Sequence, residues 1–294
     1  MTHPAIHGPR HSCRRWSLSA RLCHIDRKER VISTVTSREE LVAFRKAVRN
    51  DEWTKPTAGV ALGYLQTNLA IVPKESAYEF LLFCMRNPKP CPLVEVLDEG
   101  SPLPQRCAPG ADIRTDLPRY RIYEEGVLAG EVTNITEMWR DDFVSFLLGC
   151  SFSADASLLA AGIPVDDARF GSAGPMYLTN IPCVPAGRFH GNMVVSLRAL
   201  SGTDAVRATV ITERLRLAHG APVHVGDPSA IGIQDITRTD YGEFLGLDDD
   251  QVPVFWACGV TPQAVAKESR IPLMITHSPG HMFVTSVTEA DIEW

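Results

Sequence analysis

Three apolar runs near the C-terminal end constrain the fold of this chain more than any other feature. They occupy residues 222–228, 253–262 and 273–281, and each ends in small or polar residues. Short apolar runs bounded by glycine and proline are typical of buried strands in an α/β sheet. If the strands are parallel neighbours, their carboxyl ends meet at one crevice, where open α/β sheets bind ligands. Six polar side chains would then gather there: His224, Asp227, Cys258, Thr261, His277 and His281.

Histidine is the first candidate for chemistry in this crevice. His277 and His281 have a spacing that suits a metal on one helix face, but the Pro-Gly turn between them excludes a helix. A divalent metal site is still possible if His224 and Asp227 lie close to these two histidines in space. No other cofactor is expected. An imidazole with a pKa near neutrality suits general acid or base catalysis. A hydrogen-bonded structural histidine is the alternative at each position.

A short helix is predicted between the second and third runs, over residues 261–269. Thr261 is a good N-cap, and Pro262 suits the first helical position. Cys258 lies just before this helix, whose dipole would lower a thiol pKa and favour a nucleophile. Inert buried cysteine is the alternative. The N–H groups that follow Gly259 are a candidate cradle for a substrate carboxylate.

Composition excludes several classes of protein. The chain has 294 residues and 45% apolar content, which is ordinary for one large or two modest globular domains. No apolar run approaches the roughly 20 residues of a membrane span, so no membrane partner is expected. The eight cysteines form no CxxC motif, which favours free thiols in a reducing cytoplasm.

Charge divides the chain into a leader and a body. Residues 1–35 are basic and are predicted to be a disordered extension, whereas residues 36–294 carry 22 basic and 33 acidic residues. A nucleic-acid-binding protein would carry its basic patch on the folded body, so no nucleic-acid partner is expected. A homodimer is left open.

The order of predicted elements indicates two domains. Residues 36–119 and 200–294 read as a three-layer α/β domain with a mixed, partly parallel sheet, opened by a capping box at Ser37. Residues 120–199 read as an inserted two-layer α+β domain. Within it we predict a hairpin over 120–132, an amphipathic helix over 136–148, and two strands farther on.

Four further polar residues are candidates for substrate binding. Thr179, Asn180 and Arg188 lie in a dense polar stretch of the inserted unit and would close one wall of a site between domains. Arg114 would clamp a carboxylate through two hydrogen bonds. A loop that binds only itself, or a surface salt bridge, is the alternative for these residues.

Several unusual phrases of the chain resemble the D-glutamate cyclase family, whose members are also labelled hydro-lyases. The resemblance extends from about residue 50 to residue 287. The family tends to have an aromatic residue and a glutamate where this chain has Ala154 and Asp155. The matching phrases are CMRNPKPC at 84–91, PGADIRTDLP at 109–118, LGCSF at 148–152, PMYLTNIPC at 175–183, HGAPVH at 219–224, VFWACGVTPQ at 254–263 and ITHSPGHMF at 275–283.

The resemblance implies two domains, three-layer α/β and smaller α+β, and conversion of D-glutamate to 5-oxo-D-proline and water. In that reaction His277 or His281 would be the base and His224 the acid, with Asp227 orienting a histidine. The helix N-terminus at Thr261 would stabilise an oxyanion or carboxylate. Two alternatives remain: a lactam or amide hydrolase with Cys258 as nucleophile, and a non-catalytic protein that binds a small amino or carboxylic acid.

Overall fold

The computed structural model describes residues 35–165 and 173–292, so the predicted extension at residues 1–35 lies outside the described residues except for Val35. Five α-helices are described: α1 (Arg38–Arg49), α2 (Lys74–Arg86), α3 (Asp155–Ala160), α4 (Gly202–Glu213) and α5 (Thr261–Glu268). The strands are β1 (Gln66–Pro73), β2 (Leu93–Val96), β3 (Tyr120–Glu124), β4 (Val127–Val132), β5 (Phe143–Gly149), β6 (Met176–Pro182), β7 (Asn192–Ser201), β8 (His224–Val225), β9 (Gln251–Ala257), β10 (Leu273–His277) and β11 (Phe283–Val284).

The strands form two open sheets. The larger has seven strands in the order β2-β5-β1-β10-β3-β4, with β11 also paired to β1. The smaller has four strands in the order β6-β7-β9-β8. The fold class is therefore mixed α/β with two sheets.

The predicted parallel pairing is wrong, because every pair between the named strands is antiparallel. Strands β8 and β9 lie in the smaller sheet, whereas β10 lies in the larger one. Helix α5 therefore connects a strand of the smaller sheet to a strand of the larger one. Two parallel neighbours would instead require a crossover helix that returns the chain to the same sheet.

Helices cover one face of each sheet. Phe80 and Phe83 of α2 and Val265 of α5 pack with Phe146 on one face of the larger sheet. Irregular chain covers its other face, and Leu117 belongs to the core cluster there. On the smaller sheet, α3 and α4 pack around Trp256 of β9. The described helices include none long and apolar enough to cross a membrane.

Most of the predicted elements are confirmed, including the helix at 261–269 and the two later strands of the insert, whereas one predicted helix is wrong. Ser37 begins α1 with the expected capping box to Glu40, and residues 120–132 form the expected hairpin. The helix predicted over 136–148 is instead a single 3-10 turn (Thr136–Met138) followed by β5. This strand lies between β1 and β2 and buries both of its faces, so its apolar run lacks the alternation of a half-exposed strand.

The predicted domain boundaries at residues 120 and 199 stay a prediction. Strands β3, β4 and β5 of the predicted insert pair in the larger sheet, and β6 and β7 pair in the smaller one. Strand β9, from the predicted main domain, completes the centre of the smaller sheet. Each sheet therefore contains strands from both predicted domains.

Candidate active site

The centre of the larger sheet is interrupted where β10 ends. Strand β10 pairs with β1 in the register Ala70 to Thr276, and β11 continues along β1 in the register Thr67 to Phe283. The register moves by four residues between these pairs, so β10 and β11 act as one antiparallel strand with a loop (residues 278–282) expelled from it. We call this loop the bulge. Such interruptions of a ladder re-aim side chains next to functional sites.

His277 lies at the start of the bulge and fills the gap that it leaves on β1. Its Nδ1 lies 3.3 Å from the Leu69 nitrogen, which donates to it, and 3.4 Å from the Leu69 oxygen. The backbone oxygen of His277 is no longer used by β1, and it accepts a hydrogen bond of 2.8 Å from Gln263 Nε2. The imidazole thus takes the place of the backbone beside Leu69.

The other ring nitrogen of His277 is buried and has no hydrogen-bond partner among the described residues. Burial is the main cause that lowers the pKa of His277 to about 3; the Leu69 hydrogen bond opposes this shift, and the nearby charges of His281 and Arg121 add to it. The ring is therefore neutral at pH 7. Because Leu69 offers Nδ1 both a donor and an acceptor, Nε2 can be a donor in one tautomer and an acceptor in the other.

A cleft opens beside His277, between the two sheets. It encloses about 420 Å³ of space when the part open to solvent is included. Its lining is largely apolar, with a few convergent polar groups. The residues are Asn68, Cys150, Ser151, Phe152, Ala173, Gly174, Met176, Ser196, Leu197, Cys258, Val260, His277, Gly280 and Met282.

Three polar residues of the cleft, Asn68, Ser151 and Ser196, were not proposed as site residues from the sequence. Ser196 Oγ, on β7, is buried and has no partner among the described residues. Asn68, on β1, donates its amide to the Gly149 oxygen. Alternation along β7 was the available signal, since Ser196 and Arg198 lie between the apolar Val194 and Leu200 on one face of the strand.

A glycine is required at position 259 because the Asn68 side chain lies so close, and not because of the backbone angles of Gly259. A methyl group at Gly259 would lie 1.9 Å from Asn68 Nδ2, which real contacts do not permit. The predicted carboxylate cradle after Gly259 is also partly occupied, because the Thr261 nitrogen donates to the Cys258 oxygen over 3.0 Å. The Thr261 hydroxyl donates to the same oxygen and accepts from Val194, so this fully buried side chain joins β7 to β9.

The structure alters the expectation for Cys258. The thiol lines the cleft, as the prediction required, but burial raises its pKa to about 11 despite a hydrogen bond from the Val260 backbone, which lowers it. The expected lowering by the helix N-terminus is therefore wrong. Desolvation disfavours a thiolate more than the dipole of a helix of eight residues favours it.

His281 lies in the bulge but does not line the cleft. Its Nδ1 lies 3.0 Å from the Pro279 oxygen, and the charges of Arg119 and Glu131 act on its ring. Burial lowers the pKa of His281. The bulge turns Gly280 towards the cleft instead, where it packs against Ala173.

His224 and Asp227 lie away from this cleft, on and beyond the outer strand β8. His224 Nε2 lies 2.7 Å from the Asp227 oxygen. The Asp227 carboxylate accepts from the Ser229 nitrogen and hydroxyl, and these hydrogen bonds lower its pKa. The structure thus brings together only Cys258 and His277 of the five predicted catalytic residues. The parallel strands that would have gathered the others are absent from the described pairings.

The remaining predicted binding residues also have local partners. The Thr179 hydroxyl donates to the Met193 oxygen, and Asn180 packs against Gly232. Arg188 pairs with Glu79 over 3.0 Å, and Arg114 pairs with Asp112 over 2.7 Å. None of the four lines the cleft. Across the described ranges, 35–165 and 173–292, no group of three or more His, Cys, Asp or Glu residues could hold a metal ion.

Comparisons with known proteins identify the family of this chain. The sequence model described as D-glutamate cyclase matches residues 144–286, a span that contains every cleft residue except Asn68. "Putative hydro-lyase GK2103" of Geobacillus kaustophilus is 54% identical over 248 residues, which cover 84% of this chain and 94% of that protein. The chain belongs to the D-glutamate cyclase family.

Two other members of the family are similarly close. A protein named "Putative hydro-lyase" of Stutzerimonas stutzeri is 56% identical over 85% of this chain and 94% of its own length. "Putative hydro-lyase YcsI" of Bacillus subtilis is 51% identical over 84% of this chain and 96% of its own. A solved nitrogen repressor-like protein of Methanococcus jannaschii covers 88% of this chain and 98% of that chain with a TM-score of 0.38 and 13% identity, too weak a similarity for any argument.

Proposed function

We propose that this protein is a hydro-lyase that acts on a small amino acid with a second carboxyl group, and that it converts D-glutamate to 5-oxo-D-proline and water. One observation carries the proposal. A neutral, buried imidazole of His277 presents an unpartnered nitrogen beside a largely apolar cleft with a few polar groups. Family membership supports the choice of glutamate and of the D configuration.

The chemistry needs a group that both takes and gives protons. The ammonium loses two protons, the nitrogen bonds to the γ-carboxyl carbon, and one carboxyl oxygen leaves with both protons as water. The overall reaction consumes no proton, so one imidazole can accept a proton from the amine and return it to the leaving oxygen. His277 Nε2 is the group proposed for this transfer. Binding of an anionic substrate would raise its pKa towards the useful range.

The oxyanion that develops on the γ-carboxyl group needs a hydrogen-bond donor. Once His277 Nε2 has accepted the amine proton it is such a donor, and it lies beside the cleft. The Asn68 amide is already engaged with Gly149, so its proposed role is to shape the wall of the cleft.

The test is incubation of the purified protein with D-glutamate and with L-glutamate, with and without EDTA, followed by chiral chromatography of 5-oxoproline. We expect product from the D isomer alone, and equal turnover in EDTA. Saturable binding of D-glutamate without product would support the non-catalytic alternative and overturn the proposal.

Replacement of His277 tests its role. His277→Asn keeps a polar group at the position of Nδ1 and removes Nε2, so we expect kcat to fall about 100-fold or more. The matched control is His190→Gln, an exposed histidine outside the cleft, which should keep wild-type turnover. Turnover of His277→Asn within a few-fold of wild type would contradict the assignment.

The hydrolase alternative depends on a thiolate at Cys258. The raised pKa, about 11, leaves little thiolate at pH 7 and disfavours this chemistry. We expect Cys258→Ser to retain turnover within a few-fold. Loss of all turnover in this variant, with the fold intact, would restore the nucleophile hypothesis.

A further inference from the structure

A buried ion pair borders the cleft and is not used by the proposed proton transfer. Arg198 Nη2 lies 2.7 Å from Asp155 Oδ1 and donates to the Ser151 oxygen over 3.1 Å. Arg198 is 7% exposed. Its other terminal nitrogen, Nη1, is buried and has no partner among the described residues. Burial of a guanidinium nitrogen without a hydrogen-bond partner costs free energy. A bound ligand that accepts a hydrogen bond from Nη1 would remove this cost.

Strand geometry places this guanidinium at the Ser196 end of the cleft. Ser196 and Arg198 alternate along β7 and therefore share one face of the sheet. Ser196 pairs in register with Trp256, and the Arg198 guanidinium lies 5.6 Å from the centre of the Trp256 ring. The guanidinium thus stands over the cross-strand neighbour of Ser196.

The lining of the cleft gives a second indication of the same position. Ser151, whose backbone oxygen accepts from Arg198, is a cleft residue. Arg198 itself lines an adjoining groove, which shares Leu197 with the cleft. Two donors without a described partner, Ser196 Oγ beside the cleft and Arg198 Nη1 beside the adjoining groove, therefore lie on one face of β7.

Another cation near the site is already paired. Arg121, which acts electrostatically on His277, donates to Glu131 over 2.6 Å. Arg198 also pairs with an acid, but its second nitrogen remains available. Guanidinium and hydroxyl groups together match a carboxylate, which accepts several hydrogen bonds at once.

We propose that Arg198 and Ser196 form a carboxylate-binding subsite that holds the non-reacting carboxylate of the substrate. The Asp155 partner fixes the guanidinium in place. The subsite rests on the proposed function only for the choice of which carboxylate reacts, since binding of a dicarboxylate needs no catalysis. If this subsite exists, a ligand needs a second carboxylate to bind tightly.

Calorimetric titration with glutarate and with D-glutamate tests the subsite directly. In Ser196→Ala and in Arg198→Lys, we expect Kd for both ligands to rise about 10- to 100-fold, the range for lost hydrogen bonds to a charged group. Arg207→Lys, at an exposed arginine paired with Asp204 on α4, is the matched control and should bind as wild type.

Ser196→Ala keeps the test valid if Arg198→Lys fails to fold. It removes a hydroxyl without a described partner and leaves the ion pair intact, so its melting temperature should equal that of wild type. For turnover, we expect KM for D-glutamate to rise in this variant. The compound γ-aminobutyrate lacks the held carboxylate, so its turnover should change little between Ser196→Ala and wild type.

The outcomes separate the two proposals. Turnover by wild type together with unchanged Kd in folded Ser196→Ala and Arg198→Lys would overturn the subsite alone. Glutarate binding that depends on Arg198 and Ser196, without any turnover by wild type, would support the subsite and overturn the proposed reaction. Failure of wild type to bind either ligand would overturn the subsite.

Discussion

Gln263 is a fully buried amide whose two ends are both satisfied, and it fixes the backbone of His277. Its Nε2 donates to the His277 oxygen over 2.8 Å, and its Oε1 accepts from the Tyr123 hydroxyl over 3.1 Å. The same His277 oxygen also accepts from the Thr276 hydroxyl over 3.0 Å, so this buried carbonyl is satisfied by two side chains. Helix α5 therefore contributes to the site through a side chain and not through its N-terminus.

The contact between Gly259 and Asn68 predicts a strong effect of one methyl group. We expect Gly259→Ala to lose about 1 to 3 kcal/mol of unfolding free energy, because the new Cβ overlaps the Asn68 amide. Asn68→Ala/Gly259→Ala should recover part of this loss. Gly130→Ala, at a glycine with open space around its Cβ position, is the control.

Urea unfolding of wild type, the two single variants at Asn68 and Gly259 and the double variant completes a double-mutant cycle. Equal unfolding free energies for Gly259→Ala and Gly130→Ala would contradict the steric explanation.

At the scale of elements, the bulge depends on anchors outside the sheet. Thr57, in the segment before β1, donates its backbone nitrogen to the Gly280 oxygen over 2.8 Å. Its hydroxyl accepts from the Met282 nitrogen over 3.0 Å. The middle and the C-terminal end of the bulge are thus held by one residue that is more than 220 positions away.

Loss of this anchor is a prediction at the element scale. Thr57→Val keeps the shape of the side chain but leaves the buried Met282 N–H without its acceptor, so we expect a loss of about 1 to 3 kcal/mol in unfolding free energy. Turnover should fall as the bulge loosens. Thr209→Val is the control, since that hydroxyl bonds only within helix α4.

Unfolding free energy and kcat are measured for both variants. A Thr57→Val protein with wild-type values of both would show that the bulge is held by its other contacts.

Elements also explain the wrong helix at residues 136–148. Phe143 and Leu147 are four positions apart, which suits one helix face. In the structure they belong to the core on one side of β5, whereas Phe146 belongs to the core on the other side. A central strand is apolar on both faces, so its periodicity does not distinguish it from a buried helix.

At the scale of the whole molecule, burial of neutral histidines couples folding to pH. Burial lowers the pKa of His277 to about 3 and that of His219 to about 4. An unfolded chain binds a proton at each near pH 6.5, whereas the folded chain does not until far lower pH. Unfolding is therefore favoured as pH falls from about 6.5 towards 4, through the window between these values.

The size of this effect can be predicted. Between pH 7 and pH 5, we expect each of the two histidines to reduce the unfolding free energy by about 2 kcal/mol. Urea unfolding at several pH values measures the slope, and His277→Asn should reduce it by about one proton. His190→Gln, at an exposed histidine, should leave it unchanged. A slope near zero between pH 6 and pH 5 would contradict the burial of neutral rings.

Local sequence determined much of this protein. The capping box at Ser37, the hairpin at 120–132 and the apolar core of β9 and β10 depend on residues a few positions apart, so periodicity and turn residues predict them. Sequence also supported family membership and placed His277 at a strand end. These features depend on local chemistry and on sequence motifs that are visible without the structure.

Only the tertiary structure decided how those pieces form a site. The pairing of Leu69 with the His277 ring, the approach of Asn68 to Gly259 and the ion pair of Asp155 with Arg198 join distant parts of the chain. Strand direction and register depend on such long-range contacts, because the same apolar strand can pair on either edge and in either direction. For that reason the sequence placed six residues in one crevice, whereas antiparallel pairing kept only three of them, Cys258, Thr261 and His277, in or beside the cleft.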